Sequence, residues 1–557
     1  MKVRITMRQV SLILCVLLLC GGTLVGFGMG LNKGYSFPKP LETTDEGTTD
    51  LSEKAIHADE TLTVDRKTKG RTNYRGKRIW IDETFVSNLP LVVLETENDK
   101  RPPAHIVWNS EEQQYFPNAE EEIYLNGTLS LYENSRGTNC LSDSPSLVSD
   151  IRLRRRGNSS VHYDKAQFLV KLLDEDGKSS RKNLLQMGAD NEWVLNVSFI
   201  DKSLLRNYLA YTVAGEIMPY VPDCRFCEVI WKTEDGYQYE GVYLLMEKIK
   251  VGKNRVDLPA FAENSKNLPF LLRRDRWEPN RLLLNNYGRR EELLEGVLRV
   301  EWPDATRLSD QSVQRITDQI DAFEQALFSD DYEEFIQYRD MIDVESFVDY
   351  LIINEFFINY DAGYHSTYIY SDYSGKLAMG PVWDFDGAID NYHRNSAKLD
   401  TAAFFKAPWF RQLLRDPEMT VQIMERYREL RKSILSDQAI CEFIDGTVAG
   451  LGSAIERDWA RWGYFYADGK YLTSEVDCQS ERNTKTHHEE TEKLKQVLSE
   501  HGAWMDDNLD TLYQCVDPDS AFYRNVTENV DYHSAFAVIF IAVFLISVKL
   551  VLKYESE

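Results

Sequence analysis

The chain has 557 residues, 89 acidic and 64 basic, giving a formal net charge of -25, and 43% of it is apolar. That length and apolar content are more than one core needs, so the chain is globular, with one large or two moderate domains. The acidic balance argues against a nucleic-acid partner, because phosphate backbones are gripped through basic surface.

Lys2, Arg4 and Arg8 precede an apolar stretch from about Val10 to Phe27, so residues 1–30 read as a secretory signal or an uncleaved signal anchor. Residues 31–77 are polar, acidic and Thr-rich, with little periodicity, and are expected to form a flexible stalk. At the other end, SAFAVIFIAVFLISVKLVL (534–552) is long enough to cross a bilayer, with Lys549 snorkelling and Lys553 just beyond. Basic residues at both ends place both termini inside, so the body between them is expected to be membrane-anchored and to face outward at the cell surface.

Within the body, LPLVVLET from Leu89, AHIVW from Ala104 and EEIYLNG from Glu121 read as short strands. DIRLRRRGNSSVHYDKAQFLVKLLDEDGK then gives a strand, a Gly-Asn-Ser-Ser turn and a second strand ending at DEDG. WVLNVSF follows as a strand, DKSLLRNYLAYTVAGEI as a helix with Asp201 or Ser203 as cap, and EVIWKTEDGYQYEGVYLLMEKIK as two strands around a turn. The second half turns helical: Val313, Ile316, Ile320, Phe323 and Leu327 recur at helical spacing, as do Phe347, Leu351 and Phe356. STYIYSDYSGKLAMGPVWDFD reads as strand, tight turn, strand and an acidic pair, and helices are expected over 417–435, 438–462 and 484–512. Six cysteines lie in the body, enough for disulfides in an exported domain. For the single CxxC at Cys224 and Cys227, a local disulfide or buried thiols are favoured over zinc.

The most informative string is VWDFDGAID. Asp384 and Asp386, two apart after an apolar run, can converge on one hard cation, and Mg²⁺ prefers a few such oxygens plus substrate phosphates to a full protein cage. Asp361 upstream of a hairpin, followed by Asp384, repeats the order of catalytic and metal carboxylates in protein kinases. Taken singly, the acidic pair reads equally well as a turn cap, RGNSS as a plain turn, and Lys171 as a solvated strand lysine.

RGNSS (156–160), WVLN with DKSLLRN (193–207), EGVYLLMEKIK (240–250) and GPVWDFD (380–386) occur in that order, and from about Leu89 to Trp462 the chain resembles the CotH family of spore-coat-type atypical protein kinases. The resemblance implies an α+β, atypical protein-kinase-like fold over 78–520, with a β-rich N-terminal part and a helical C-terminal part. It also implies transfer of the γ-phosphoryl group of ATP, with Mg²⁺ or Mn²⁺, to Ser or Thr of a protein substrate rich in those residues. Asp361 falls on the family's catalytic aspartate and Asp384 on its metal-binding one, with Asp386 assisting. Lys171 is the candidate phosphate-gripping lysine, with Glu216 or Glu247 as its acidic partner, while Arg156, Asn158 and Ser160 are candidate nucleotide contacts. Departures from ordinary kinases are Ser366 where Asn is expected five residues after the catalytic Asp, DFD in place of DFG, and no GxGxxG loop. The competing readings are a non-catalytic surface adhesion or structural protein on the same scaffold and, at lower weight, a metal-dependent glycosyltransferase using the DxD pair.

Overall fold

Alternating apolar residues along short strands close the first half of the chain into a barrel. In a computed structural model, the described residues are 56–58 and 78–516, apart from 110–113, 120–121, 135–136, 158, 198, 279, 395 and 474–481. They lie within one unit, Glu42–Thr527. The strands are β1 (Ile56–Ala58), β2 (Ile79–Ile81), β3 (Leu91–Thr96), β4 (Leu125–Tyr132), β5 (Leu147–Arg155), β6 (Phe168–Leu173), β7 (Glu192–Asn196), β8 (Cys224–Thr233) and β9 (Gly236–Glu247). Their order is β1-β2-β9-β7-β6-β5-β4-β3-β8, and β8 pairs back onto β9, so seven strands close on themselves. Every pairing in this sheet is antiparallel except β3 with β8.

Inward positions obey the period of two: Phe168, Val170 and Leu172 of β6 fill the interior with Trp193, Trp231 and Leu245, whereas Leu169 faces the other way. The same rule decides the CxxC. Cys224 packs outside the barrel and Cys227 inside it, because an odd offset along a strand reverses the face. All five described cysteines are free thiols, so buried thiols rather than a local disulfide occupy this motif.

The helix α1 (Arg206–Gly215) lies on the outer face of the barrel and is buried over most of its surface, between that face and the second half of the chain. A second sheet, β10 (Phe270–Asp275), β11 (Val297–Trp302), β12 (Thr367–Ser371) and β13 (Leu377–Met379), runs in the order β11-β10-β12-β13. The second half adds the helices α2 (Asp310–Leu327), α3 (Val344–Phe356), α4 (Pro408–Leu413), α5 (Pro417–Arg431), α6 (Asp437–Leu451) and α8 (His487–Asn508), which share its apolar core, and α7 (Ala454–Asp468), which packs on the barrel. Side-chain oxygens of Ser309 and Asp343 cap α2 and α3, and Thr486 with Glu489 forms a capping box on α8. The architecture is thus α+β, β-rich first and helical second.

Two helix expectations are corrected. Residues 438–462 are not one helix: Gly452, at φ +51°, ends α6, and Asn88 Nδ2 donates to the Gly450 carbonyl at 2.6 Å. Within the stretch expected to be a stalk, Ile56–Ala58 pairs in register with Ile79–Ile81. Neither Asp201 nor Ser203 is the N-cap, which is Leu205, although Asp201 Oδ2 accepts the Arg206 N–H at 2.9 Å. Both expected membrane segments lie outside the described residues, and no described helix is long and apolar enough to cross a membrane.

One close approach locks α7 onto the barrel. Asp458 Oδ1 accepts from Lys165 Nζ at 2.6 Å and from the Val242 N–H at 2.7 Å, and its Oδ2 accepts from Tyr466 at 2.9 Å. Gly241 makes room: its φ is +117°, and a Cβ there would sit 2.4 Å from Asp458 Oδ1. Gly241→Ala should therefore cost about 1–3 kcal/mol, read as a lowered denaturant midpoint. An unchanged midpoint would mean the carboxylate can move aside freely.

Candidate functional site

The two sequence-distant aspartates meet in one cleft of about 260 Å³, walled by Leu169 and Val194 from the barrel and by Arg273 and Asp275 from the second sheet. Asp361 follows α3, where Ile358 turns the chain at φ +52°, a conformation rare for a β-branched residue. Asn359 Nδ2 donates to Asn354 Oδ1 at 3.1 Å and to the Asp384 carbonyl at 3.4 Å, tying the segment before Asp361 to the acidic loop. The Asp361 carbonyl accepts the His365 N–H at 2.8 Å, closing the turn into β12. Burial pushes the Asp361 carboxyl up to about 6, Arg276 opposes this from 3.4 Å, and Asp384 adds to it, so the two aspartates feel each other's charge.

Asp384 sits beyond β13 at φ +69°. Its N–H donates to the Tyr211 hydroxyl at 3.1 Å, and the next N–H, of Phe385, donates to Asn207 Oδ1 at 2.8 Å, so α1 grips this loop from below. Ser366 Oγ donates to Asp384 Oδ2 at 3.2 Å; the residue that replaces the kinase Asn thus touches the candidate metal ligand directly. Asp386 shares a side-chain hydrogen bond with Asp384, and burial first, then Asp384, push its carboxyl well above the usual range. Two carboxyls so close cannot both ionise without a proton or a cation between them.

Downstream, Arg206 Nε and Nη2 donate to the Ala388 and Ile389 carbonyls, each at 3.0 Å. Arg482 and Lys493 pair with Asp390 at 3.0 and 2.9 Å. The acidic loop is therefore clamped from α1 and from the C-terminal helix α8.

The cleft also has a cationic lining. Arg156 lies 5.1 Å over the Trp383 ring, donates to Gln167 Oε1 at 3.3 Å, and is pushed down to about 10 by burial, with Arg273 and Arg154 adding to the shift. Gly157, at φ +107°, and Ser160 also line the cleft. Asn158 lies outside the described residues.

Lys171 is placed elsewhere. On β6 its ammonium pairs with Glu192 at 3.5 Å and sits over Tyr124, and it does not contribute to the cleft wall. Of the proposed acidic partners, Glu216 is exposed and Glu247 pairs with Arg255. The lysine that does reach the cleft is Lys248, which bonds both Glu192 oxygens at 3.2 Å. Lys248 stands in the EGVYLLMEKIK motif, so the string was informative although the residue chosen was not. Arg273, Arg276 and Tyr211 were missed as well; the paired arginines in LLRRDRW were the available signal.

A mixed α+β protein with two converging carboxylates and a guanidinium wall in one cleft is the class defined so far. A family model described as CotH kinase protein matches residues 153–535, and the chain belongs to that family. The match contains every candidate site residue and begins within β5, later than the similarity expected from Leu89, while running past Trp462. No curated protein matches the chain.

Proposed function

We propose that this protein is a CotH-type kinase with an atypical kinase-like fold, transferring the γ-phosphoryl group of ATP to a Ser or Thr hydroxyl of a protein acceptor. One observation carries the reading: Asp361 faces the same cleft as the Asp384–Asp386 pair. Among the described residues no group of three or more His, Cys, Asp or Glu could hold a metal ion. A carboxylate pair completed by phosphate oxygens and water suits Mg²⁺ or Mn²⁺ better than a dedicated protein cage. When bound, the cation would neutralise phosphate charge.

Asp361 would orient the acceptor hydroxyl and take its proton as the oxygen bonds to the γ-phosphorus and the bond to the β-phosphate oxygen breaks, releasing ADP. Arg156 and Arg273, which line the same cleft, would hold phosphate oxygens, and Lys248 is the stronger lysine candidate than Lys171. Asn158 and Ser160 would complete the nucleotide contacts. We also propose, from the sequence alone, that the terminal apolar segments tether this unit to a membrane, facing outward.

The full-length chain, purified in mild detergent with radiolabelled ATP, Mg²⁺ and a Ser-rich acceptor, should show transfer that is lost in Asp361→Ala and Asp384→Asn. Transfer unchanged in both would remove the assignment. Proton transfer to Asp361 needs the ionised form, so activity should rise as pH increases through about 6. Arg276→Ala removes the nearby cation that favours the carboxylate, so the limb should move to higher pH. A limb that stays in place would show that Arg276 does not act on Asp361.

A further inference from the structure

Three polar side chains stand in one row where the outer face of the barrel meets the cleft. The β5–β6 and β6–β7 registers, continued one residue past their pairs at Phe168, set Arg156 beside Gln167 and Gln167 beside Asn196, and all three line the cleft. Gln167 and Asn196 are buried, and the Arg156 N–H donates to the Gln167 carbonyl at 3.1 Å.

Their side chains are bonded in series. Arg156 Nη1 and Asn196 Nδ2 both donate to Gln167 Oε1 at 3.3 Å, and Asn196 Oδ1 accepts from Asn207 Nδ2 at 3.5 Å. Asn207, buried on α1, accepts the Phe385 N–H through its Oδ1 at 2.8 Å. Phe385 stands between Asp384 and Asp386, so an amide relay runs from the acidic loop to Arg156. It joins one residue from each of the strings RGNSS, WVLN, DKSLLRN and GPVWDFD.

The longest link, at 3.5 Å, is at the limit of a hydrogen bond, but the polarity of the relay is fixed from both ends. The Phe385 N–H can only donate, so Asn207 turns Oδ1 to the loop and Nδ2 to Asn196. Arg156 can only donate, so Gln167 turns Oε1 towards it, and Asn196 must bring Nδ2 to that junction and Oδ1 to the other. Reversing any one amide would set like groups against each other in a buried place. A single arrangement satisfies the relay, and a displacement of the acidic loop is passed on to the arginine.

We propose that Gln167, Asn196 and Asn207 are positioning residues that fix Arg156 relative to the acidic loop, so that the grip of Arg156 on phosphate depends on that loop being in place. This rests on the reading of the cleft as a nucleotide site.

Calorimetric titration of ATP, with saturating Mg²⁺, into the full-length chain in mild detergent reads the dependence. Arg156→Met and Asn207→Ala alter residues that share no hydrogen bond with each other. Their combined loss of affinity should nevertheless fall short of the product of the two single losses by about fivefold. Independent residues would give the full product, and so would residues that only lend stability. In an Asn196→Leu background the shortfall should vanish. Because that variant could misfold, Gln167→Met, which cuts the relay one junction nearer Arg156, should abolish the shortfall as well. A full product in the parent background, or a shortfall that survives in either folded variant, would overturn the proposal and leave the nucleotide reading of the cleft standing. A parent chain that binds no ATP would overturn both.

Discussion

Asp384→Asn should lower phosphoryl transfer by about 10³-fold or more, because cation-mediated charge stabilisation worth several kcal/mol would be lost and each ~1.4 kcal/mol is a factor of ten in rate. Asparagine is the appropriate replacement. It keeps the volume and the hydrogen bond with Ser366, and among L residues it best tolerates the left-handed φ of +69° at this position. The Tyr211 and Asn207 bonds to the loop backbone are untouched by the change. Loss of transfer with unchanged stability would thus report on the carboxylate and not on the loop. Asp361→Ala should differ in kind: kcat should fall by about 10²–10⁴-fold, the usual range for a general base, with Mg²⁺-ATP affinity retained. If Asp384→Asn transfers as well as the parent chain, the acidic pair is a turn and not a metal site.

Arg206→Met should destabilise the protein by about 3–5 kcal/mol, the usual cost of leaving buried charges without their partner. Arg206 is wholly buried between Asp201 and Glu490, with Glu490 at 2.8 Å, and methionine would leave both carboxylates facing an apolar stem. Despite burial, Arg206, Lys493 and Lys202 hold the Glu490 carboxyl down at about 2, from an ordinary 4.5. A depressed folded-state value contributes stability that is present above the unfolded value and lost as pH falls. The parent chain should therefore lose this contribution between about pH 4.5 and 2, and Arg206→Met should show a smaller loss over that range, keeping only the part owed to Lys493, Lys202 and Thr484. The denaturant midpoint measured across that range decides the matter. A variant that retained the parent's midpoint would show that Asp201 and Glu490 find other partners. The same change removes both carbonyl contacts that clamp the loop after Asp386, so transfer should suffer too.

The sequence made visible the strand with clean alternation, β5 (LVSDIRLRR), the apolar and aromatic runs bounded by turns, as in β6 and β9, and the helices with a strong periodic face, as α2 shows. It did not announce β10 and β11. In FLLRRD and VLRVEW the arginines break the apolar pattern, yet Arg274 is buried against Glu324, 50 residues on, and Arg299 against Glu278 on a neighbouring segment and Glu301 in its own strand, so charge inside these strands is neutralised by partners that the apolar pattern does not show. Barrel closure was equally hidden, because it rests on a parallel pairing between β3 and β8, more than a hundred residues apart. For the site, the acidic string and Asp361 were legible from residue type and order alone. Lys171 shares the outer face of Leu169, which lines the cleft, but it stands two residues further along β6, where it pairs with Glu192 and does not reach the cleft wall. Position along a strand relative to a cleft is not readable from residue type. Tyr211 and Asn207 could not have been found, since their role is to hold a backbone about 175 residues away on another element.

Calorimetric titration of ATP into the full-length chain, with and without Mg²⁺, tests the central claim most directly. The parent chain should bind ATP appreciably more tightly with the cation present, and Asp384→Asn should lose that difference while Asp361→Ala keeps it. Identical titrations with and without Mg²⁺ in the parent chain, or a cation dependence that survives in Asp384→Asn, would contradict the assignment of this cleft to metal-bound nucleotide phosphates.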